Sequence, residues 1–215
     1  MNNPLEKTKA NIWIESLNAS THGLGVLFSL IALPFLFWRA GMAGGWPAIL
    51  LITVYGFGFV AMFLASTLYH AFSFSRYRRL MRHFDHSAIF LMIAGSYSPF
   101  CFWLLPSRRA TFLGLALWLA TLAGIVVKNL SMTVPAWLQA GVYLLFGWVG
   151  LLLIPEMLRA LPPISWKFLL AGALAYSLGS IFYALKRWPV LHIIWHLFVL
   201  AGAIFMFFAI YLSIG

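Results

Sequence analysis

Seven long apolar stretches, separated by short polar segments, limit what this chain can fold into. Each is close to the roughly 20 residues that a helix needs to cross a bilayer, and they cover residues 19–38, 46–70, 84–105, 110–127, 137–155, 166–185 and 191–212. They are continuously apolar rather than alternating, which favours helices over barrel strands. Only 8% of the 215 residues are charged, against about 25% in a soluble domain. We therefore expect an all-α integral membrane protein, a single seven-transmembrane helix bundle that occupies residues 1–215.

Lysine and arginine are distributed unevenly between the two ends of these stretches. Nine fall on the side that carries the N-terminus and five on the opposite side. The densest cluster consists of Arg76, Arg78, Arg79 and Arg82. Because loops rich in Lys and Arg stay in the cytoplasm, we expect a cytoplasmic N-terminus and a C-terminus outside. The net charge of +10 is then a topology signal, and no nucleic-acid partner is expected.

Polar and ionisable side chains are concentrated at one end of four stretches, all in the predicted cytoplasmic leaflet. Where two or more lie on one helix, most are three or four residues apart and so share a face. Such groups are costly at membrane depth and commonly mark a functional site. The set comprises Glu15, Asn18, His22, Ser66, His70, Asp85, His192 and His196.

The seventh stretch begins with a pair of histidines that could bind a metal ion. His192 and His196 are one helical turn apart, so their Cβ atoms are expected about 5–6 Å from each other. His70 is predicted at the same depth and would supply a third nitrogen. Three neutral imidazoles favour zinc, with other late divalent ions as alternatives, and they leave one position open as in catalytic sites. The other interpretations are histidines that hydrogen-bond to core neighbours, or His22 as a fourth ligand.

Asp85 is the candidate catalytic residue, as a base or as an anchor for the water of a metal site, and it could instead be a weak ligand of the metal. A helix N-cap is the alternative interpretation. Ser66 could support a ligating histidine or allow close packing of two helices. His83 and His86 flank the basic cluster, and we expect both at the membrane interface.

Two further polar groups are expected near the same pocket. Glu15, Asn18 and His22 could support the pocket, and Glu15 and His22 could instead pair with each other or cap the first helix. A stripe on the sixth stretch could line an inner cavity or bind neighbouring helices; it consists of Tyr176, Ser180 and Tyr183.

Four motifs in this arrangement resemble those of the progestin and adipoQ receptor family. The opening E-x-x-N-x-x-T-H motif is matched by residues 15–22, the S-x-x-x-H motif by residues 66–70, and the terminal H-x-x-x-H motif by residues 192–196. Asp85, followed by His and Ser, has the expected spacing between them. The segments around residues 65–70 and 84–87 look most like the bacterial hemolysin III branch.

The resemblance implies a seven-helix bundle with zinc held near the cytoplasmic face. His70, His192 and His196 would be the ligands, Asp85 would hold the water, and Ser66 would support the site. The family belongs to a wider group of membrane metal hydrolases that includes alkaline ceramidases. Its bacterial members carry a hemolysin label and are connected with membrane lipid homeostasis, which implies a multi-pass protein of the bacterial inner membrane.

These observations favour a zinc-dependent hydrolase of a lipid amide or ester, with a membrane lipid as substrate or ligand. A lipid sensor or receptor-like protein with structural zinc, a hemolysin-like pore or lytic protein, and a haem protein with two histidine ligands are the alternatives. The pattern specifies neither the substrate nor the oligomeric state.

Overall fold

The computed structural model describes residues 4–130, 134–185 and 188–214. All regular structure in these residues is helical, without strands. The main helices are α1 Pro4–Ala71, α2 Arg78–Pro99, α3 Arg108–Leu130, α4 Ala136–Trp148, α5 Ile154–Ala160, α6 Pro163–Ala184 and α7 Pro189–Ser213. A π-helical turn, Phe100–Leu104, extends α2, and a 3-10 turn, Val149–Leu153, joins α4 to α5.

Six helical segments of the described chain are long and apolar enough to cross a membrane. They are Asn11–Ala71, Arg78–Leu104, Arg108–Leu130, Ala136–Ala160, Pro163–Ala184 and Pro189–Ser213. Large apolar side chains also cover the outside of these helices; Trp46 is 81% exposed and Phe112 is 70% exposed. A surface of this kind is suited to lipid rather than water. The prediction of an all-α membrane protein is confirmed.

The longest helix, α1, is broken at one residue. Gly45 has φ 58° and ψ −148°, a conformation that glycine adopts readily because it has no Cβ. The arm before it (residues 4–44) packs against the arm after it (residues 46–71): the rings of Phe28 and Phe59 are 6.0 Å apart, and those of His22 and Phe63 are 5.1 Å apart. The two arms therefore form an antiparallel hairpin, which brings residues near 15 beside residues near 70.

Glycines allow α1 and α2 to approach closely. A Cβ on Gly58 would lie 2.7 Å from the backbone oxygen of Leu91, and one on Gly95 would lie 3.1 Å from the backbone oxygen of Val54. Small residues at such crossings are characteristic of packing between membrane helices. This contact holds the second half of α2 against the second arm of α1.

Candidate metal site and cavity

Three histidines meet where the second arm of α1 ends and α7 begins. One candidate ligand nitrogen from each of His70, His192 and His196 lies within 4.8 Å of the other two. The ring centroids are 5.2 Å apart for His70 and His192, 4.9 Å for His70 and His196, and 4.6 Å for His192 and His196. The cluster could hold one metal ion, as the sequence predicts.

Hydrogen bonds orient two of these rings. The Nδ1 atom of His70 is 2.6 Å from the Oε2 atom of Glu15, and its Nε2 atom is buried without a partner among the described residues. The Nδ1 atom of His196 is 3.2 Å from the backbone oxygen of Asn18 and 3.2 Å from the Oγ1 atom of Thr21. A carboxylate or carbonyl that holds the far nitrogen is typical of metal-ligating histidine. The buried Nε2 atom of His70 would gain a bonding partner from a bound ion.

His22 is close to the cluster but outside it. Its ring stacks on the ring of His196, with centroids 3.7 Å apart and an interplanar angle of 23°. Both of its ring nitrogens are buried and have no hydrogen-bond partner among the described residues. Neither His22 nor Asp85 contributes a ligand atom to the group whose members lie within 4.8 Å of one another. In the described residues the group thus contains three donors rather than four.

Asp85 projects from α2 into the same region. Its side chain is 15% exposed, its Oδ2 atom is 4.0 Å from the Nε2 atom of His86, and Ser66 is placed to hydrogen-bond with its carboxylate. The interpretation of Asp85 as a helix N-cap is wrong, because α2 begins at Arg78 and Tyr77 is its N-cap. The carboxylate is two turns inside the helix and is free of any capping role.

A cavity of about 550 Å³ opens from the histidines into the bundle. The predicted site residues Glu15, Asn18, His22, Ser66, His70, Asp85, His192 and His196 all line it. The stripe on α6 lines it too, with Tyr176, Ser180 and Tyr183. Towards its inner end the lining includes Met206 and Tyr97, which also line a second cavity of about 260 Å³. The rest of that second cavity is mainly apolar, with residues such as Leu151, Ile154, Leu158 and Leu169.

Comparisons with known proteins place this chain in a family. The family model described as "Haemolysin-III related" matches residues 11–207. The chain belongs to the haemolysin-III-related family. It is 36% identical to "Hemolysin-3 homolog" of Bacillus subtilis (strain 168) over 196 residues, covering 91% of this chain and 92% of that protein. "Hemolysin-3" of Bacillus cereus is 36% identical over 198 residues, covering 91% and 90%.

A more distant relative connects the chain with animal proteins. "Monocyte to macrophage differentiation factor" of Homo sapiens is 28% identical over 164 residues, covering 74% of this chain and 68% of that protein. The resemblance that the four motifs carry is therefore confirmed at the level of the family.

His86 does not lie at the interface as predicted. It is only 8% exposed and lines the large cavity of this haemolysin-III-related protein. The prediction placed His86 at the interface because that residue is close in sequence to the basic cluster. However, α2 begins about two turns before His86, so this residue already lies within the helix. His83 is partly exposed and its Nδ1 atom contacts the Oδ1 atom of Asn129 at 2.6 Å.

Sequence reasoning also missed a buried polar chain behind the site. The Nζ atom of Lys128 donates to Gln139 at 2.9 Å, the Nε2 atom of Gln139 donates to the Tyr143 hydroxyl at 2.8 Å, and that hydroxyl donates to the backbone oxygen of His86 at 3.1 Å. Lys128 is 5% exposed, although the sequence places it among the loop charges. The one-turn spacing of Gln139 and Tyr143 in an apolar stretch is the signal that could have revealed the chain.

Proposed function

We propose that this haemolysin-III-related protein crosses the bacterial inner membrane seven times. The hairpin in α1 supports this count, because each arm of Asn11–Ala71 can cross separately and five further segments follow. The excess of Lys and Arg on the N-terminal side supports a cytoplasmic N-terminus and a C-terminus outside. In this orientation the histidine cluster lies in the cytoplasmic leaflet.

In the proposed site His70, His192 and His196 bind one zinc ion. Neutral imidazole nitrogens suit zinc, and the buried unpartnered Nε2 atom of His70 is a donor suited to such an ion. Glu15 holds the ring of His70, and the backbone oxygen of Asn18 holds the ring of His196. Three protein ligands are typical of catalytic zinc, which supplies a Lewis acid and lowers the pKa of water.

The proposed activity is hydrolysis of an amide or ester bond in a lipid. The observation that carries it is the cavity, which has the three histidines and Asp85 at one end and adjoins mainly apolar space at the other. A lipid chain would occupy the apolar part while its polar linkage lies beside the histidines. Asp85 would orient the attacking water, accept its proton and return that proton to the amine or alkoxide leaving group as the amide or ester bond breaks, and Ser66 would hold the Asp85 carboxylate.

The first test measures zinc and turnover in the same detergent-purified samples. We expect about one zinc per chain in the wild type, loss of zinc and turnover in His70→Ala, His192→Ala and His196→Ala, and no change in His83→Ala. His83 is the control because it contacts Asn129 rather than the cluster. Turnover of a panel of lipid amides and esters that persists after zinc is removed would contradict the proposal.

The alternative is a lipid-binding sensor in which zinc is structural. The same cavity favours it, since a site shaped for a lipid need not react with it. The position of His22 beside His196 gives this alternative a candidate fourth ligand. A protein that retains stoichiometric zinc and co-purified lipid, but forms no product across the panel, would support the sensor over the hydrolase.

A further inference from the structure

Two arginines lie at the polar end of the large cavity. Arg78 and Arg82 are four residues apart at the start of α2, so they share one face of that helix. Both line the cavity, as does Trp188 at the start of α7. Arg79, between them in sequence, does not line it. The basic cluster therefore has two members that line the cavity, Arg78 and Arg82, and two that do not, Arg76 and Arg79.

The acidic residues of the cavity do not bind these arginines in close ion pairs. Arg78 is near enough to Glu15, and Arg82 near enough to Asp85, for their charges to interact. In the described part of the chain, however, no carboxylate oxygen lies within 4.0 Å of either guanidinium. Two arginines and two carboxylates sum to zero, so a bound divalent ion would give this end of the cavity a charge of about +2.

The order of groups along the cavity defines where an amphiphile would fit. Along α2 the lining runs from Arg78 and Arg82 through Asp85 to Tyr97, and along α7 it runs from His192 and His196 to Met206; Tyr97 and Met206 also line the second, mainly apolar cavity. A headgroup beside the arginines would therefore place the linkage below it near the histidines and the chain beyond them.

We propose that Arg78 and Arg82 bind the phosphate of an anionic lipid headgroup. This inference rests on the proposed function, because it takes a lipid as the occupant of the cavity. Guanidinium groups bind phosphate oxygens through paired, charge-assisted hydrogen bonds, and the fork of two arginines one turn apart can contact one phosphate from two sides. A neutral or zwitterionic headgroup would leave the positive end of the cavity uncompensated.

The test uses probes that contain no carboxylic amide or carboxylic ester bond. Dodecyl phosphate, dodecylphosphocholine and inorganic phosphate are titrated into zinc-loaded protein in a neutral maltoside detergent, with both amphiphiles below their critical micelle concentrations. We expect one site per chain for dodecyl phosphate, with affinity about tenfold above that for dodecylphosphocholine. Inorganic phosphate at the same concentration should not displace it. Displacement would assign the site to free phosphate and overturn the lipid proposal.

The matched variants are Arg78→Gln, Arg82→Gln and Arg79→Gln. We expect each of the first two to weaken dodecyl phosphate binding about tenfold and Arg79→Gln to leave it unchanged. An equal loss in all three would show diffuse surface charge and overturn the proposal, as would unchanged binding in Arg78→Gln and Arg82→Gln. Zinc content and melting temperature identify a misfolded variant. In that case Arg78→Lys or Arg82→Lys gives a second measurement, because Lys keeps the charge but lacks the guanidinium fork. We expect these variants to lose part of the dodecyl phosphate affinity.

The two proposals fail in different ways. Selective binding of dodecyl phosphate that depends on Arg78 and Arg82, without turnover of any lipid, would refute the hydrolase and keep the headgroup site. Turnover that is equal for neutral and anionic lipids, and equal in Arg78→Gln and the wild type, would keep the hydrolase and refute the headgroup site.

Discussion

Replacing Glu15 by Gln tests whether the histidine cluster is a metal site. The Oε2 atom of Glu15 is 2.6 Å from the Nδ1 atom of His70, and the carboxylate side chain is 25% exposed. Gln has nearly the same shape and can still accept the hydrogen bond from Nδ1. The substitution thus removes the negative charge that makes the opposite nitrogen of His70 a better donor to a metal.

The expected loss of zinc affinity follows from this geometry. Removal of such a partner costs 10–100-fold in metal affinity, which corresponds to about 1.4–2.7 kcal/mol. Because Gln keeps the hydrogen bond, we expect Glu15→Gln near tenfold. Glu15→Ala also releases the ring, and we expect a loss closer to a hundredfold.

The assay is a competition for zinc between the purified protein and a chromophoric chelator. Glu156→Gln is the control, since this carboxylate is 3.9 Å from Arg109 and is not part of the cavity lining. The reasoning is refuted if Glu15→Gln binds zinc as tightly as the wild type, or if Glu156→Gln loses as much affinity.

Three further changes probe the site and the packing that holds it. Asp85→Asn should keep one zinc per chain but lower kcat about 10²–10⁴-fold. If mass spectrometry instead shows loss of zinc, Asp85 is a metal ligand. Gly58→Ala should lower the melting temperature, because its Cβ would lie 2.7 Å from the backbone oxygen of Leu91. Gly141→Ala is the control and should not lower it, because its Cβ would meet nothing within 4 Å. Equal melting temperatures for the two variants would contradict this packing. Gln139→Leu should lower the free energy of unfolding by about 1.5–3 kcal/mol, since it removes an acceptor from a buried ammonium group; chemical denaturation that matches the wild type would count against the buried chain.

Much of the candidate site follows from helical periodicity. His192 and His196 share a face because they are one turn apart. His70 is at the depth of the polar end of the bundle because it lies at the end of the second arm of α1, which runs antiparallel to the first arm. The same reasoning identifies Asp85 as a cavity residue. Helical periodicity does not give the rotation of each helix about its own axis. The sequence therefore does not decide whether Glu15 pairs with His22, caps the first helix or supports the pocket.

Other features depend on packing that no local pattern encodes. A single residue, Gly45, separates the two arms of α1, where the sequence predicts a loop between the apolar stretches. Lys128 is buried because Gln139 of α4 accepts its hydrogen bond, and only tertiary structure brings the two helices together. His86 is buried because α2 begins earlier than its apolar stretch does.

The histidine cluster joins the first helix of the chain to the last. Glu15 and His70 belong to α1, while His192 and His196 belong to α7, so the ribosome completes the cluster only after it has made all the intervening helices. A chain that stops before α7 would retain Glu15 and His70 but would lack His192 and His196. The proposed zinc ion could therefore be held by all three histidines only after α7 has been inserted beside α1.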